Sequence, residues 1–189
     1  ERTPENLRGK PLSVSGLQTW LALPDDREEI DPAFSHSDAG TMPLIDNDGA
    51  KARVVIGDFA GLRSPVPTFT DTLYVDLRLE PGRSFPFPAA HEERAVYVLA
   101  GELSVADDGF APNQLLVFRP GDEITLKAGP QGCHMMLFGG AALNSRRYIW
   151  WNFVSSSKER IEKAKEEWRT GRFEIVPGDE EEFVPLPEK

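Results

Sequence analysis

Leu73-Tyr74-Val75-Asp76-Leu77-Arg78-Leu79 places Leu73, Val75, Leu77 and Leu79 on one face of an extended chain and Tyr74, Asp76 and Arg78 on the other. Such two-residue alternation marks a strand that covers a core with one side and meets water with the other. Working outward, residues 53–57, 95–99, 103–106, 114–119, 123–127, 133–138 and 148–154 read as further short strands. Between them stand the turn pairs Asp48-Gly49, Pro81-Gly82, Asp108-Gly109, Pro120-Gly121, Gly129-Pro130 and Gly139-Gly140, whose Gly, Pro and Asp supply the backbone conformations that tight turns need. Strands punctuated by turn signals every ten residues or so predict an all-β sandwich or barrel, not a βαβ fold.

The flanks read differently. Gly16-Leu17-Gln18-Thr19-Trp20-Leu21-Ala22-Leu23 is a short apolar strand candidate, closed by Pro24 and the charged run Asp25-Asp26-Arg27-Glu28-Glu29. Residues 31–49 are rich in Pro, Asp, Ser and Gly and read as a surface connection. One helix is predicted: Ser156 and Glu159 form a capping box, Ile161, Ala164 and Trp168 share a face, and Thr170-Gly171 stops it. The tail beyond is expected to drape over the body through Phe173, Ile175 and Phe183.

With 21 Lys+Arg against 31 Asp+Glu among 189 residues, the net charge is -10. Binding to a nucleic-acid backbone or an anionic membrane needs clustered cations, so both are excluded as default roles. Arg146-Arg147-Tyr148-Ile149-Trp150-Trp151 mixes cations with aromatics, but no basic stripe accompanies it. The two arginines are expected to pair with C-terminal carboxylates, and Trp150 and Trp151 to face opposite sides of a strand. No apolar run approaches the roughly 20 residues that span a bilayer, and no signal peptide is visible, so a cytoplasmic protein is expected. The first residue is Glu1 rather than Met, which reads as a start inside something longer.

Chemistry-bearing residues are few. The one cysteine, Cys133, precludes an internal disulfide and reads as a small buried hydrophobe, with His134 pointing to the opposite face. The three histidines, His36, His91 and His134, form no HxH or HxxxH pair, so no element offers two metal ligands. His91, beside Glu92 and Glu93, reads as an exposed turn histidine, and His36 sits in a loop with nothing to recruit it. No G-x-S-x-G, P-loop or G-x-G-x-x-G motif occurs, which argues against nucleophile-elbow hydrolases and nucleotide-phosphate enzymes.

The run from Pro81 to Leu103 resembles the first motif of the cupin superfamily: glycine, five residues, HxH, three or four residues, glutamate, six residues, glycine. Counted from Gly82 and Gly101, the histidine positions hold Pro88 and Ala90, and the glutamate position holds Arg94. In the echo of the second motif, Phe118-Arg119-Pro120-Gly121-Asp122-Glu123-Ile124, Ile124 stands where the last histidine belongs. Proline, alanine and isoleucine cannot ligate a divalent ion and a guanidinium repels one. A cupin scaffold without metal chemistry is therefore expected.

More of the chain resembles the pirin family, in its bacterial branch. The residues that carry this are Glu1-Arg2-Thr3-Pro4-Glu5, Gly16-Leu17-Gln18-Thr19-Trp20-Leu21-Ala22-Leu23-Pro24, Thr72-Leu73-Tyr74-Val75-Asp76, Gln114-Leu115-Leu116-Val117-Phe118-Arg119-Pro120-Gly121-Asp122 and Trp151-Asn152-Phe153-Val154. The resemblance implies a bicupin with two facing β-sandwich domains. Its divalent metal, iron before others, is held in the N-terminal cupin by three histidines and a glutamate, and the C-terminal cupin is metal-free. Glu1 resembles that glutamate ligand, and the histidines would precede it. The implied organisation has residues 1–24 as the closing segment of an N-terminal cupin, 25–50 as connection, 51–154 as a C-terminal jelly-roll cupin, and 155–189 as C-terminal helix and extended tail.

Two functions follow from the resemblance. In the first, the intact protein is similar to a quercetin 2,3-dioxygenase: a metal acting as Lewis acid and template binds a flavonol, and this chain, inactive alone, supplies the second wall of the cleft. In the second, the protein is a non-catalytic interaction module similar to a transcription cofactor, whose acidic surface docks a basic protein partner.

Overall fold

The computed structural model describes residues 7–11, 13, 15–175, 177–178, 180 and 183–187. The alternating stretch becomes β5, Thr72–Leu79, and it lies in the interior of a sheet. In chain order the other strands are β1 Leu44–Asn47, β2 Ala50–Ile56, β3 Asp58–Phe59, β4 Leu62–Arg63, β6 Ser84–Phe87, β7 Glu93–Val105, β8 Asp108–Phe110, β9 Leu115–Phe118, β10 Ile124–Gly140, β11 Tyr148–Trp150 and β12 Phe153–Ser155; helix α1 spans Lys158–Arg169. Eight strands form one antiparallel sheet in the order β1-β2-β5-β10-β7-β8, with β6 added along β10 and β9 along β7. The all-β reading holds, with one helix.

The inward set of each strand follows the period-two pattern. Val75, Leu77 and Leu79 of β5 pair in register with Leu137, Met135 and Cys133 of β10. Val54 of β2, Val96 and Val98 of β7, Leu126 of β10 and Phe87 of β6, all fully buried, complete the core. Each such side chain contributes on the order of 1.5–3 kcal/mol of hydrophobic stabilisation. Phe59 stacks on Phe85 and meets Phe87 edge-on, and Phe87 meets Phe118 likewise, so a row of rings links β3, β6 and β9.

Several turns differ from expectation in instructive ways. Gly129-Pro130, expected to separate two strands, lies inside β10, and the two strands expected at 95–99 and 103–106 are one, β7. At both places the chain bulges instead of reversing: the β10–β7 register shifts between Ala128 and Cys133. Gly101 has φ 76° there, and a Cβ built on it would lie 2.1 Å from the Gly132 carbonyl oxygen. The β7–β8 reversal uses Ala106 and Asp107, both at positive φ, rather than Asp108-Gly109. Asp48-Gly49, in contrast, makes the expected two-residue hairpin, with φ 49° and 74°, between Asn47 and Ala50. That hairpin places β1 and the start of β2 inside the stretch expected to be a plain connection, because an edge strand with few apolar residues has a weak pattern.

Residues 16–23 form no ladder, contrary to the strand expectation. An extended apolar run becomes a strand only beside a partner, and here the run is tied by side chains: the Thr19 hydroxyl donates to the Tyr74 hydroxyl at 3.2 Å, and Arg147 Nη2 donates to the Leu23 carbonyl at 2.6 Å. Trp20 and Leu21 are more than half exposed.

The end of the chain builds a second, smaller aromatic cluster. Trp151 sits at φ 50° in the turn between β11 and β12, so Trp150 and Trp151 do not alternate; their ring centroids are 6.4 Å apart and both meet Phe153. Helix α1 starts one residue later than the capping box implied, with Ser157 as N-cap accepting from the Arg160 amide. It ends in a Schellman pattern: Gly171, φ 68°, donates to the Trp168 carbonyl and Arg172 to that of Glu167. Trp168 meets Phe173 edge-on, stacks with Phe183 and donates its indole N–H to the Val184 carbonyl, so the tail drapes as expected through those two rings, while Ile175 stays exposed.

The partners of Arg147 also differ from expectation: they are Asp25 and Glu28 of the N-terminal connection, each at 2.7 Å, and not C-terminal carboxylates. Arg146 instead lies over the Tyr148 ring.

Gly101→Ala must either strain a left-handed backbone or push β7 from β10. It is expected to lower unfolding free energy by roughly 2–4 kcal/mol, read by urea denaturation, whereas Gly109→Ala, with open space at its Cβ position, is expected to do much less.

Candidate functional site

The ends of β5, β7, β9 and β10 meet beneath residues 21–22 and bound a groove of about 700 Å³. Its walls are largely apolar: Leu21, Val117, Phe118, Phe138 and Leu143, with Arg94 and Arg119 among the polar groups. Outward-facing Val117 is 75% exposed, an unusual state for a valine in the middle of a strand.

Arg94 is the least ordinary residue in the domain. It alternates inward on β7 with Val96 and Val98, and is 2% exposed. Its Nη1 donates to the Phe87 carbonyl at 2.8 Å and its Nη2 to the Asp122 carbonyl at 2.5 Å, while the guanidinium lies 5.4 Å from the centre of the Phe87 ring. Nε is buried without a partner.

The four positions that the cupin pattern assigns to metal ligands do not converge on a cation site. Pro88 and Ala90 lie exposed in the turn after β6, Ile124 pairs with Phe87 at the start of β10, and Arg94 brings a positive charge. Among the described residues no group of three His, Cys, Asp or Glu side chains could hold a metal. The donor set present does not fit a divalent ion. Glu1, the expected metal ligand, lies outside the described residues.

His91 is a correction. It is buried rather than exposed, with Nδ1 at 2.8 and 3.0 Å from the two carboxylate oxygens of Asp71. Asp71 stands just before β5 and lines the groove. No local pattern advertises this pair, because the partners are 20 residues apart and meet only when β5 and β7 pair on either side of β10. The close approach also needs Gly139, where an added Cβ would lie 3.3 Å from the His91 Cβ.

The remaining expected residues fall into place without joining the groove. Cys133 faces the core and burial pushes its thiol up to about 11, while His134 on the opposite face holds Asp76 at 2.8 Å. His36 is exposed and contacts Asp38. Residues 74–174 match the family description "Pirin C-terminal cupin domain". The chain belongs to the pirin family. It is 42% identical to a pirin-like protein of Caulobacter vibrioides over 97% of this chain and 64% of that one. It is 27% identical to human pirin over 83% of this chain and 56% of that protein. Its structure superposes on that of a quercetin 2,3-dioxygenase from Acinetobacter baumannii with TM-score 0.80 and 27% identity, covering 90% of this chain and 57% of that one. The chain thus spans between 56% and 64% of the length of these relatives, and its cupin fold is that of the superposed dioxygenase.

Because the Cys133 thiol is held neutral, it is expected to resist iodoacetamide at pH 8 in the native protein and to react fully in 6 M guanidinium. The folded-state value lies above the ordinary 9.0, so its contribution to stability is whole below pH 9 and is lost as pH rises toward 11. A Cys133→Ala variant is expected to show a shallower alkaline fall in melting temperature.

Proposed function

We propose that this chain is the metal-free C-terminal cupin of a pirin-type bicupin whose intact form acts on a flavonol-like molecule. The observation that carries the reading is the likeness, at TM-score 0.80 across 90% of the chain, to a quercetin 2,3-dioxygenase. A divalent metal, iron by preference, is assigned to the N-terminal cupin, since the ligand positions of this one hold Pro88, Ala90, Arg94 and Ile124.

In this reading the chain contributes walls, not reacting groups. Leu115 and Val117 of β9, with Trp20 and Leu21 of the N-terminal segment, leave an apolar surface exposed on one side of the sheet, of the kind that marks an interaction face. Packing the N-terminal cupin there would exclude water from the space between the domains. Residues 1–24 would then close that cupin, with residues 16–23 gaining a strand partner there, and the intact protein is placed in the cytoplasm. No helix among the described residues is long and apolar enough to cross a membrane. The net charge of -10 favours a second reading, docking of a basic partner without catalysis.

Aerobic incubation of the intact, iron-loaded protein with quercetin decides between them. Loss of flavonol absorbance matched by dioxygen uptake is the expected result. Absence of turnover by fully loaded protein would sink the dioxygenase reading and leave the docking one.

A further inference from the structure

A second cavity, of about 600 Å³, opens between the β3–β4 hairpin, the loop of residues 64–71 and the start of β5, a volume inside the usual range of small-molecule sites. Its lining is polar where that of the first groove is apolar. Thr68, Thr70 and Thr72 bring hydroxyls, Asp58 and Asp71 carboxylates, and Phe69 an aromatic ring. None of the residues left exposed for the N-terminal cupin, Leu115, Val117, Trp20 and Leu21, lines it.

The walls are held in place. Pro65 and Pro67 fix φ at two positions of the loop. Ser64, which is buried, donates its hydroxyl to the Val55 carbonyl at 2.6 Å and accepts from the Val66 amide at 3.2 Å, while its own amide donates to the Gly57 carbonyl. At the far end of the loop the Ala141 amide donates to the Asp71 carbonyl at 3.1 Å. The half-exposed Asp71 carboxylate is oriented by buried His91, whose Nδ1 lies 2.8 and 3.0 Å from its two oxygens. A surface carboxylate ordinarily turns freely; this one is fixed, and groups fixed in advance lose little entropy when a ligand arrives.

Charge and hydrogen-bonding capacity then select the ligand. Each ionic group of the wall already has a partner, since Arg63 stands 3.7 Å from Asp58 and Asp71 meets His91. No unanswered charge calls for an ion, and no group of three metal-ligating side chains gathers among the described residues. Hydrogen-bonding capacity is left over. A carboxylate accepts at about four positions and a hydroxyl donates once and accepts twice, whereas Asp71 faces one imidazole nitrogen and Thr72 spends its donor within the pair it forms with Thr70. Phe69 is 57% exposed, with the Arg27 guanidinium 6.0 Å from its ring centre. An open ring beside closely spaced acceptors and donors complements a sugar, which presents an apolar C–H face and a rim of hydroxyls.

We propose that this cavity is a binding site for a neutral saccharide, with Phe69 as the stacking platform and Asp71 as the acceptor of sugar hydroxyls. The site needs no metal and does not rest on the dioxygenase reading.

The probe is cellobiose, followed by ligand-observed saturation-transfer NMR on the intact protein after chelator treatment, with cellobionate as the anionic counterpart of similar size. Expected are millimolar binding of cellobiose and weaker binding of cellobionate, which carries a charge the wall does not answer. Asp71→Asn should weaken cellobiose binding roughly tenfold. Phe69→Ala, at an exposed position where folding is not at stake, should weaken it roughly fivefold. Absence of saturation transfer to cellobiose would overturn the proposal, as would tighter binding of cellobionate. So would cellobiose binding that Phe69→Ala leaves unchanged, even if Asp71→Asn fails to fold. Quercetin turnover bears on none of these outcomes, so the dioxygenase reading and this one fail independently.

Discussion

The main sheet is organised around β10. Its second half, Cys133–Gly140, pairs with β5 along one edge and with β7 along the other, and its first four residues, Ile124–Lys127, pair with β6. A strand that serves three neighbours must hold one register against all of them, and a slip of one residue would turn Leu126, Met135 and Leu137 outward. The bulge between Ala128 and Cys133 is how β10 bends enough to do this, and the bend requires Gly101 and Gly132, both at positive φ, to face each other across the ladder. The hydrophobic core is thus built on a backbone contact that admits no side chain.

From that frame the groove follows. The ends of β5, β7, β9 and β10 come together because β10 carries them, and Arg94 reaches the interior because its position on β7 shares a parity with Val96 and Val98. The same parity sends Ala95 and Tyr97 outward. A cupin barrel directs an inward residue at this point whatever its chemistry, and in this chain that residue is a cation. The fold is that of the superposed dioxygenase, and the inward residue at this point is a buried arginine.

Much of this was legible beforehand, for identifiable reasons. Residues 72–79 announce themselves because one face is dry and one wet. The bulges could not be told from turns, since Gly129-Pro130 supplies the same local signal to either, and only the pairing of β10 with β7 decides. His91 and Asp71 escaped because their meeting depends on tertiary alignment. Arg147 was matched to the wrong carboxylates: charge counting cannot say which end of a chain folds back on an arginine. Trp150 and Trp151 were assigned opposite faces on the assumption of continuous strand, which the left-handed backbone of Trp151 breaks.

The anchoring of the C-terminal lobe has a mechanical side. Helix α1 touches β11 and β12, while Arg147 and Arg160 fasten the lobe to Asp25, Glu28 and Glu29, with Ser155 and Ser156 adding hydroxyl and amide donors to Glu28. The residues that follow Pro24 are therefore a hinge pin shared by two bodies. A pull on the N-terminal segment, whether from a folding neighbour or a bound one, has two separate outlets: the sheet, through Thr19 and Tyr74, and the helix, through Glu29 and Arg160.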